Sequence, residues 1–297
     1  MMKPRLFLRI ALATLALLIL AIGSWQIAQY RLLERWWFNT MHSDQGYLGG
    51  YIAAIQGKPV TDGDSLSSLT YNPLTGTLFT VGDDRPEILE LKVSGEVVRR
   101  IPLKGFIEVE GIEYISGNQF LLLEEQPFNR LSIIEIDEDT TAVDSFVSRF
   151  SYSVDLTNNK NWEGLTFSPG LNRIYTGKER GPVAIYEIDG LIAPRTPPDI
   201  MIRNNPQRDR GLFIKDLSGL AIAHGTENLL VLSHESRLVI ELDNNGLPIS
   251  TLSLRKGKNG LNHSIPQAEG IAVGPDGTLY IMSEPNLFYA FVKTDTK

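Results

Sequence analysis

Three glutamates, Glu110, Glu163 and Glu269, each stand directly before a glycine and a short apolar run. Seven more acids, Asp83, Asp84, Glu124, Glu125, Glu179, Glu235 and Glu284, follow a second such run downstream. The runs between them read as hairpins: EGIEYISGNQFLLLEE from Glu110, EGLTFSPGLNRIYTGKE from Glu163 and EGIAVGPDGTLYIMSE from Glu269. SSLTYNPLTGTLFTVGDD from Ser67 and SGLAIAHGTENLLVLSHE from Ser218 repeat the pattern with serine in the leading place. An antiparallel hairpin ends where it began, so the leading and trailing acids share one face. Carboxylates gathered there repel one another and their pKa values rise unless a cation neutralises them. Oxygen donors without cysteine or clustered histidine suit a hard ion, and calcium tolerates an irregular ring of them. The expected ligands are Glu110, Glu163 and Glu269, with Asp83, Glu125, Glu179, Glu235 and Glu284 just outside. The competing reading gives each glutamate a structural task, accepting hydrogen bonds from neighbouring backbone amides to fix the inter-blade turn.

Other chemistries find less support. Gly63-Asp64-Ser65-Leu66 spells a lipase signature, but no histidine has an aspartate three residues before it to complete a serine hydrolase. His234-Glu235 lacks the second histidine of a zinc helix. Arg208, Arg210 and Lys215 fall in a loop expected on the acid-bearing face, where cations beside a metal could hold phosphate, or could simply pair with Asp209 and Asp216.

The elements that must position these residues follow from the repeat. Its units start 43, 53, 55 and 51 residues apart, a spacing that suits the blades of a β-propeller. Each hairpin is followed by a third strand, ILELKVSG, LSIIEIDED, VAIYEIDG, LVIELDNNG or LFYAFVK. Four units continue into a fourth, from Glu96, Val143, Asp199 and Pro248, and the last runs out at Lys297. An unassigned strand, Tyr47 to Ile55, supplies the missing one if the two ends of the chain meet in the last blade. Five blades are therefore expected, with six as the alternative.

Net charge is −7 and the isoelectric point about 5.2, which argues against nucleic-acid binding. There are no cysteines, excluding disulfides and thiolate chemistry. At the N-terminus Lys3, Arg5 and Arg9 precede the apolar run Ile10 to Ile22. Residues 1–30 thus read as a signal anchor or a secretory signal peptide. Trp25, Tyr30, Trp36 and Trp37 resemble an interfacial aromatic belt and favour the anchor. Residues 31–46 form an amphipathic segment and linker, and 47–297 the propeller, placed outside the cytoplasm.

The blocks VEGIEYI, NWEGLTFSP, KDLSGLAI and IPQAEGIAVGPDGTLYIMSEPN resemble the SdiA-regulated family of bacterial envelope proteins. That resemblance implies a β-propeller, an inner-membrane or periplasmic address, a connection to calcium and a likeness to phytase-type propellers. Glu163 and Glu269 fall within its blocks, whereas the Ser67 and Ser218 units break a symmetric ring of five carboxylates. The expected function is a membrane-anchored periplasmic propeller binding calcium at its channel mouth, as sensor, buffer or docking platform. The alternative is a calcium-dependent, phytase-like phosphoesterase. Expected partners are the membrane, through the anchor, and an envelope protein or a phosphorylated small molecule.

Overall fold

Short β-branched and aromatic runs separated by Pro, Gly, Asn and Asp turns form strands and hairpins. The computed structural model, which describes residues 4–29, 31–41, 46–82, 85–125, 129–152, 162–192 and 199–294, arranges them as five antiparallel four-stranded sheets, a five-bladed β-propeller. Strand β1 is Tyr51–Pro59. The first blade follows with β2 (Leu66–Asn72), β3 (Thr77–Gly82), β4 (Glu87–Lys92) and β5 (Val97–Pro102). The second has β6 (Val109–Ser116), β7 (Gln119–Glu124), β8 (Asn129–Glu135) and β9 (Ser148–Tyr152). The third has β10 (Trp162–Ser168), β11 (Arg173–Lys178), β12 (Ala184–Asp189) and β13 (Met201–Asn204). The fourth has β14 (Gly219–Ile222), β15 (Leu229–Ser233), β16 (Leu238–Leu242) and β17 (Pro248–Ser253). The last joins β18 (Gln267–Val273), β19 (Leu279–Glu284) and β20 (Leu287–Lys293) to β1, in the order β1-β20-β19-β18.

The chain ends therefore close the ring, but four residues later than the sequence suggests. Gly49 and Gly50 hold Tyr47–Gly50 in turns, and β1 begins at Tyr51, facing Lys293, and runs to Pro59, facing Leu287. Gly57, at φ +64°, lets the strand continue through an irregularity between Ile55 and Lys58 that reads from sequence as loop. The residues before it dock elsewhere, with the Tyr47 amide donating to Glu241 Oε2 at 2.7 Å in the fourth blade. The fourth strand of the second blade is also displaced. Val143 makes only an isolated bridge to Leu103, and pairing with β8 starts at Ser148.

The core lies in apolar layers between successive sheets. Phe79 and Val81 meet Ile112 and Phe120 between the first and second blades. Leu121 and Leu131 meet Leu165 and Ile174 between the second and third. Leu230 and Val239 meet Ile281 and Phe291 between the fourth and last, and Leu78 and Leu89 meet Tyr280 and Phe288 where the last meets the first. Both faces of a blade are thus buried, which explains near-continuous apolar runs such as Phe120 to Leu123.

By internal contacts, residues Met1–Ser43 form a unit apart from Asp44–Lys297. It holds α1 (Pro4–Gln29) and α2 (Leu32–Met41). Leu8–Ile27 of α1 is long and apolar enough to cross a bilayer, and its leucines and isoleucines are exposed. On α2, Leu33, Trp36 and Trp37 are exposed while Arg35 and Phe38 are buried.

Candidate metal centre at the channel mouth

The Glu-Gly dipeptide that opens a repeat has a local physical reason. Register irregularities lie between Val109 and Gly111, Glu163 and Leu165, and Ala268 and Gly270, each at the start of an inner strand. A bulge there re-aims the neighbouring side chain, and the glutamate turns to the channel. The glycine admits the adjacent inner strand. A Cβ on Gly270 would lie 2.5 Å from the Ser68 carbonyl group, and one on Gly164, at φ +74°, 2.9 Å from Leu217 Cδ2. In the first blade Ser68 takes the glycine's place at φ +59°, and its hydroxyl accepts from the Ile112 amide at 3.1 Å. Ser218, in the leading place of the fourth blade, donates to the Ala268 carbonyl at 2.6 Å.

Together these strand starts surround a cavity of about 210 Å³, lined by Glu110, Glu125, Glu163, Glu269, Glu284, Gln267, Ser67, Ser68 and Ser218. The side chains in this lining offer oxygen throughout, apart from the Gln267 amide nitrogen. Glu163 Oε2 is buried and has no hydrogen-bond partner. Burial, then the charges of Glu269, Glu179 and Glu110, push the Glu163 carboxyl up to about 10, against the pull of His234. Without a cation Glu163 is therefore protonated at neutral pH.

His234 stands beside this group. Its Nδ1 lies 3.0 Å from Asp216 Oδ2 and 3.2 Å from Glu269 Oε1. Neither oxygen is aligned with the ring N–H, so these contacts act as ion pairs rather than directed hydrogen bonds. Burial alone would lower the imidazole, but Asp216 and Glu269 outweigh it and raise its pKa to about 10. Asp216 is fully buried, which pushes it up, yet His234, the Ser233 hydroxyl and the Glu235 amide hold it below the ordinary aspartate value. Glu269 is raised by burial despite His234 and Gln267. His234 thus brings a positive charge to the Glu269 side of the mouth and acts on Glu163 only through space. Glu179, Asp216 and His234 also place ligand atoms within 4.8 Å of one another.

The structure brings Glu110, Glu125, Glu163, Glu269 and Glu284 to one cavity, with Glu179 close behind. Glu284 accepts from Gln267 Nε2 at 2.5 Å, and Glu179 pairs with Arg180 at 2.6 Å. Glu235 stands outside the cavity, 3.0 Å from Arg180 and 3.7 Å from Lys215. Glu124 turns into its own blade, fully buried, with Arg130 at 3.3 Å and Arg149 at 3.1 Å. Asp83 and Asp84 lie outside the described residues.

Of the two readings of the cationic loop, the structure shows the pairing with Asp209, made by Arg208. Pro206–Gly211 is a short helix, α3, and Arg208 points into the blade interior, 2.6 Å from Glu187 and 2.9 Å from Asp209. A Cβ on Gly246, in a turn on the face opposite the mouth, would collide with Arg208. Asp216 pairs with His234, and Lys215 lies 3.7 Å from Glu235. Sequence reasoning missed both Asp216 and His234 as members of the site. A signal was present, since Asp216 precedes β14 and His234 follows β15, the same bracketing positions used for the glutamates.

Residues 43–292 match the family model described as SdiA-regulated. The fold is similar to that of a luciferin-regenerating enzyme at 15% identity, covering 81% of this chain and 96% of that one with a TM-score of 0.50. It is also similar to regucalcin from Agrobacterium tumefaciens, described as a calcium-binding protein, at 14% identity, covering 81% and 94% with a TM-score of 0.49. At such identities the likeness concerns the fold.

Proposed function

The chain belongs to the SdiA-regulated family, and from the geometry of its channel mouth we propose a membrane-anchored periplasmic propeller that binds calcium there as a sensor, buffer or docking platform. The observation that carries this reading is the partnerless, buried Glu163 Oε2 within a cavity of oxygen donors. Glu110, Glu163 and Glu269 would hold the ion, and Glu125 and Glu284 line the same cavity. Calcium accepts six to eight oxygens in irregular geometry, which an asymmetric ring of three glutamates and serine hydroxyls can offer. A phosphoesterase would further need free cations at the mouth, and Arg180 and Lys215 are there but face Glu179 and Glu235.

Calorimetric titration with calcium tests the reading. Uptake of one ion per chain is expected, and stabilisation by about 2.7 kcal/mol at a free concentration a hundredfold above Kd. An absence of calcium uptake at millimolar concentration would leave a docking platform that needs no ion.

The address has its own test. With Leu8–Ile27 as an uncleaved anchor, the full-length protein fractionates with the inner membrane and resists carbonate extraction. A soluble periplasmic form beginning near Ser24 would make the segment a cleaved signal peptide.

A further inference from the structure

At the opposite end of the channel all five inner strands surround a second cavity of about 180 Å³. Its walls are mainly apolar, including Leu69, Ile115, Phe167 and Ile271, and the exposed His224 stands at its rim. Two carboxyls lie among them, Glu113 and Glu227. Glu113 Oε1 accepts from the Thr166 hydroxyl and the Phe167 amide, both at 3.3 Å, and among the described residues no cation pairs with it. Burial pushes this carboxyl up to about 8, although Thr70, Phe167 and Thr166 pull the other way. Glu113 is half-buried and lines the cavity.

Ionising this carboxyl without a counter-charge is costly, and nothing in the mouth chemistry uses it. We propose that this end of the channel is a second binding site, for a small organic amine whose ammonium group pairs with Glu113 while its apolar body lies against Leu69, Ile115 and Phe167. Three observations favour an amine over an anion or a neutral ligand. The only other carboxylate on the wall is Glu227, no lysine or arginine lines the cavity, and the two donors to Oε1 support the ionised acid. Phe167, Tyr71 and Tyr114 also line the cavity, and aromatic rings attract a nearby cation. The size is also limiting, since a void of about 150 Å³ takes benzene, so a ring with a short aminoalkyl arm is near the upper bound.

The test uses the full-length protein in detergent micelles, titrated with phenethylamine and, for comparison, 2-phenylethanol. The amine is expected to bind at least tenfold more tightly than the alcohol. Because Glu113 begins mostly protonated at pH 7 and ends ionised, binding releases close to one proton, read as a dependence of the heat on the buffer's ionisation enthalpy. Affinity therefore rises between pH 6 and 8. The other titratable groups facing the cavity are Tyr71, Tyr114, His224 and Glu227, and Glu113→Gln assigns the proton among them. That variant should lose at least tenfold in amine affinity and the proton release, while its calcium response is unchanged. Glu113→Asp, which keeps the charge but withdraws it by one methylene, should fall between. No amine binding at millimolar concentration, equal binding of the alcohol, or full affinity in a folded Glu113→Gln variant would each overturn the proposal.

Discussion

A chain beginning at Val60 is expected to melt roughly 10 to 20 °C below one beginning at Asp44, because it lacks the strand that closes the ring. Strand β1 covers β20 over its whole length, from Lys293 to Leu287. Its removal would uncover that edge and expose Tyr289 and Phe291, which are 5% and 0% accessible, while deleting the buried Tyr51. Two or three such side chains at about 1.5 to 3 kcal/mol each give roughly 5 kcal/mol. For a domain of this size about 1 kcal/mol moves the midpoint by 2 to 4 °C. The exposed edge should also make the shorter chain prone to association. Thermal scans of the two forms decide the matter, and equal midpoints would mean that closure by β1 contributes nothing to stability. Starting at Tyr51 instead of Asp44 isolates a smaller term, the docking of Tyr47 and Leu48 on Glu241 and Ser250.

The fold was legible because each blade repeats its turn chemistry, and five imperfect copies outweigh the ambiguity of any one. Closure was legible from counting, since the last unit lacked a fourth strand. Its boundaries were not, because Gly57 and Pro59 look like loop residues until an irregularity accommodates them at a sheet edge. The glutamates of the mouth could be read from their place before each strand, although that place did not distinguish Glu125, which lines the cavity, from Glu124, which turns inward. His234 and Asp216 bracket their hairpin as the glutamates bracket theirs, but the histidine has no counterpart in the other units. Glu113 was hidden for a sharper reason. An odd separation from Glu110 normally puts two strand residues on opposite faces, but the irregularity between Val109 and Gly111 shifts the alternation and both line the channel.

Replacing Glu163 or Glu269 by glutamine, changes that look equivalent in the sequence, should have opposite effects in the absence of calcium. Glu163 is held protonated by burial and by its acidic neighbours, with its pKa up to about 10. The unfolded chain ionises this group near pH 4.5, so the folded state loses stability as pH rises from there towards 10. One pKa unit is worth about 1.4 kcal/mol, which bounds the loss by pH 7 at about 3 kcal/mol. Glu163→Gln removes that slope, and in chelator the variant should equal or exceed the wild type at pH 7. Glu269→Gln instead takes away one of the two carboxylates beside His234. The raised His234 pKa contributes stability that is fully present below about 6.5 and lost as pH rises through about 10. Weakening it should make the Glu269 variant less stable near neutrality. Between pH 4.5 and 6.5 the histidine is charged in both folded and unfolded states, so the slope in that window comes from the raised carboxyls of Glu163 and Glu269, and each glutamine flattens its own share. With calcium the order changes. Ion binding at the mouth must displace the Glu163 proton, so wild-type affinity should rise by up to tenfold per pH unit below the carboxyl's pKa. Glu163→Gln should bind at least tenfold more weakly and without proton release. If instead both variants lose stability equally in chelator and keep the wild-type calcium response, the mouth glutamates are structural acceptors and the ion site is withdrawn.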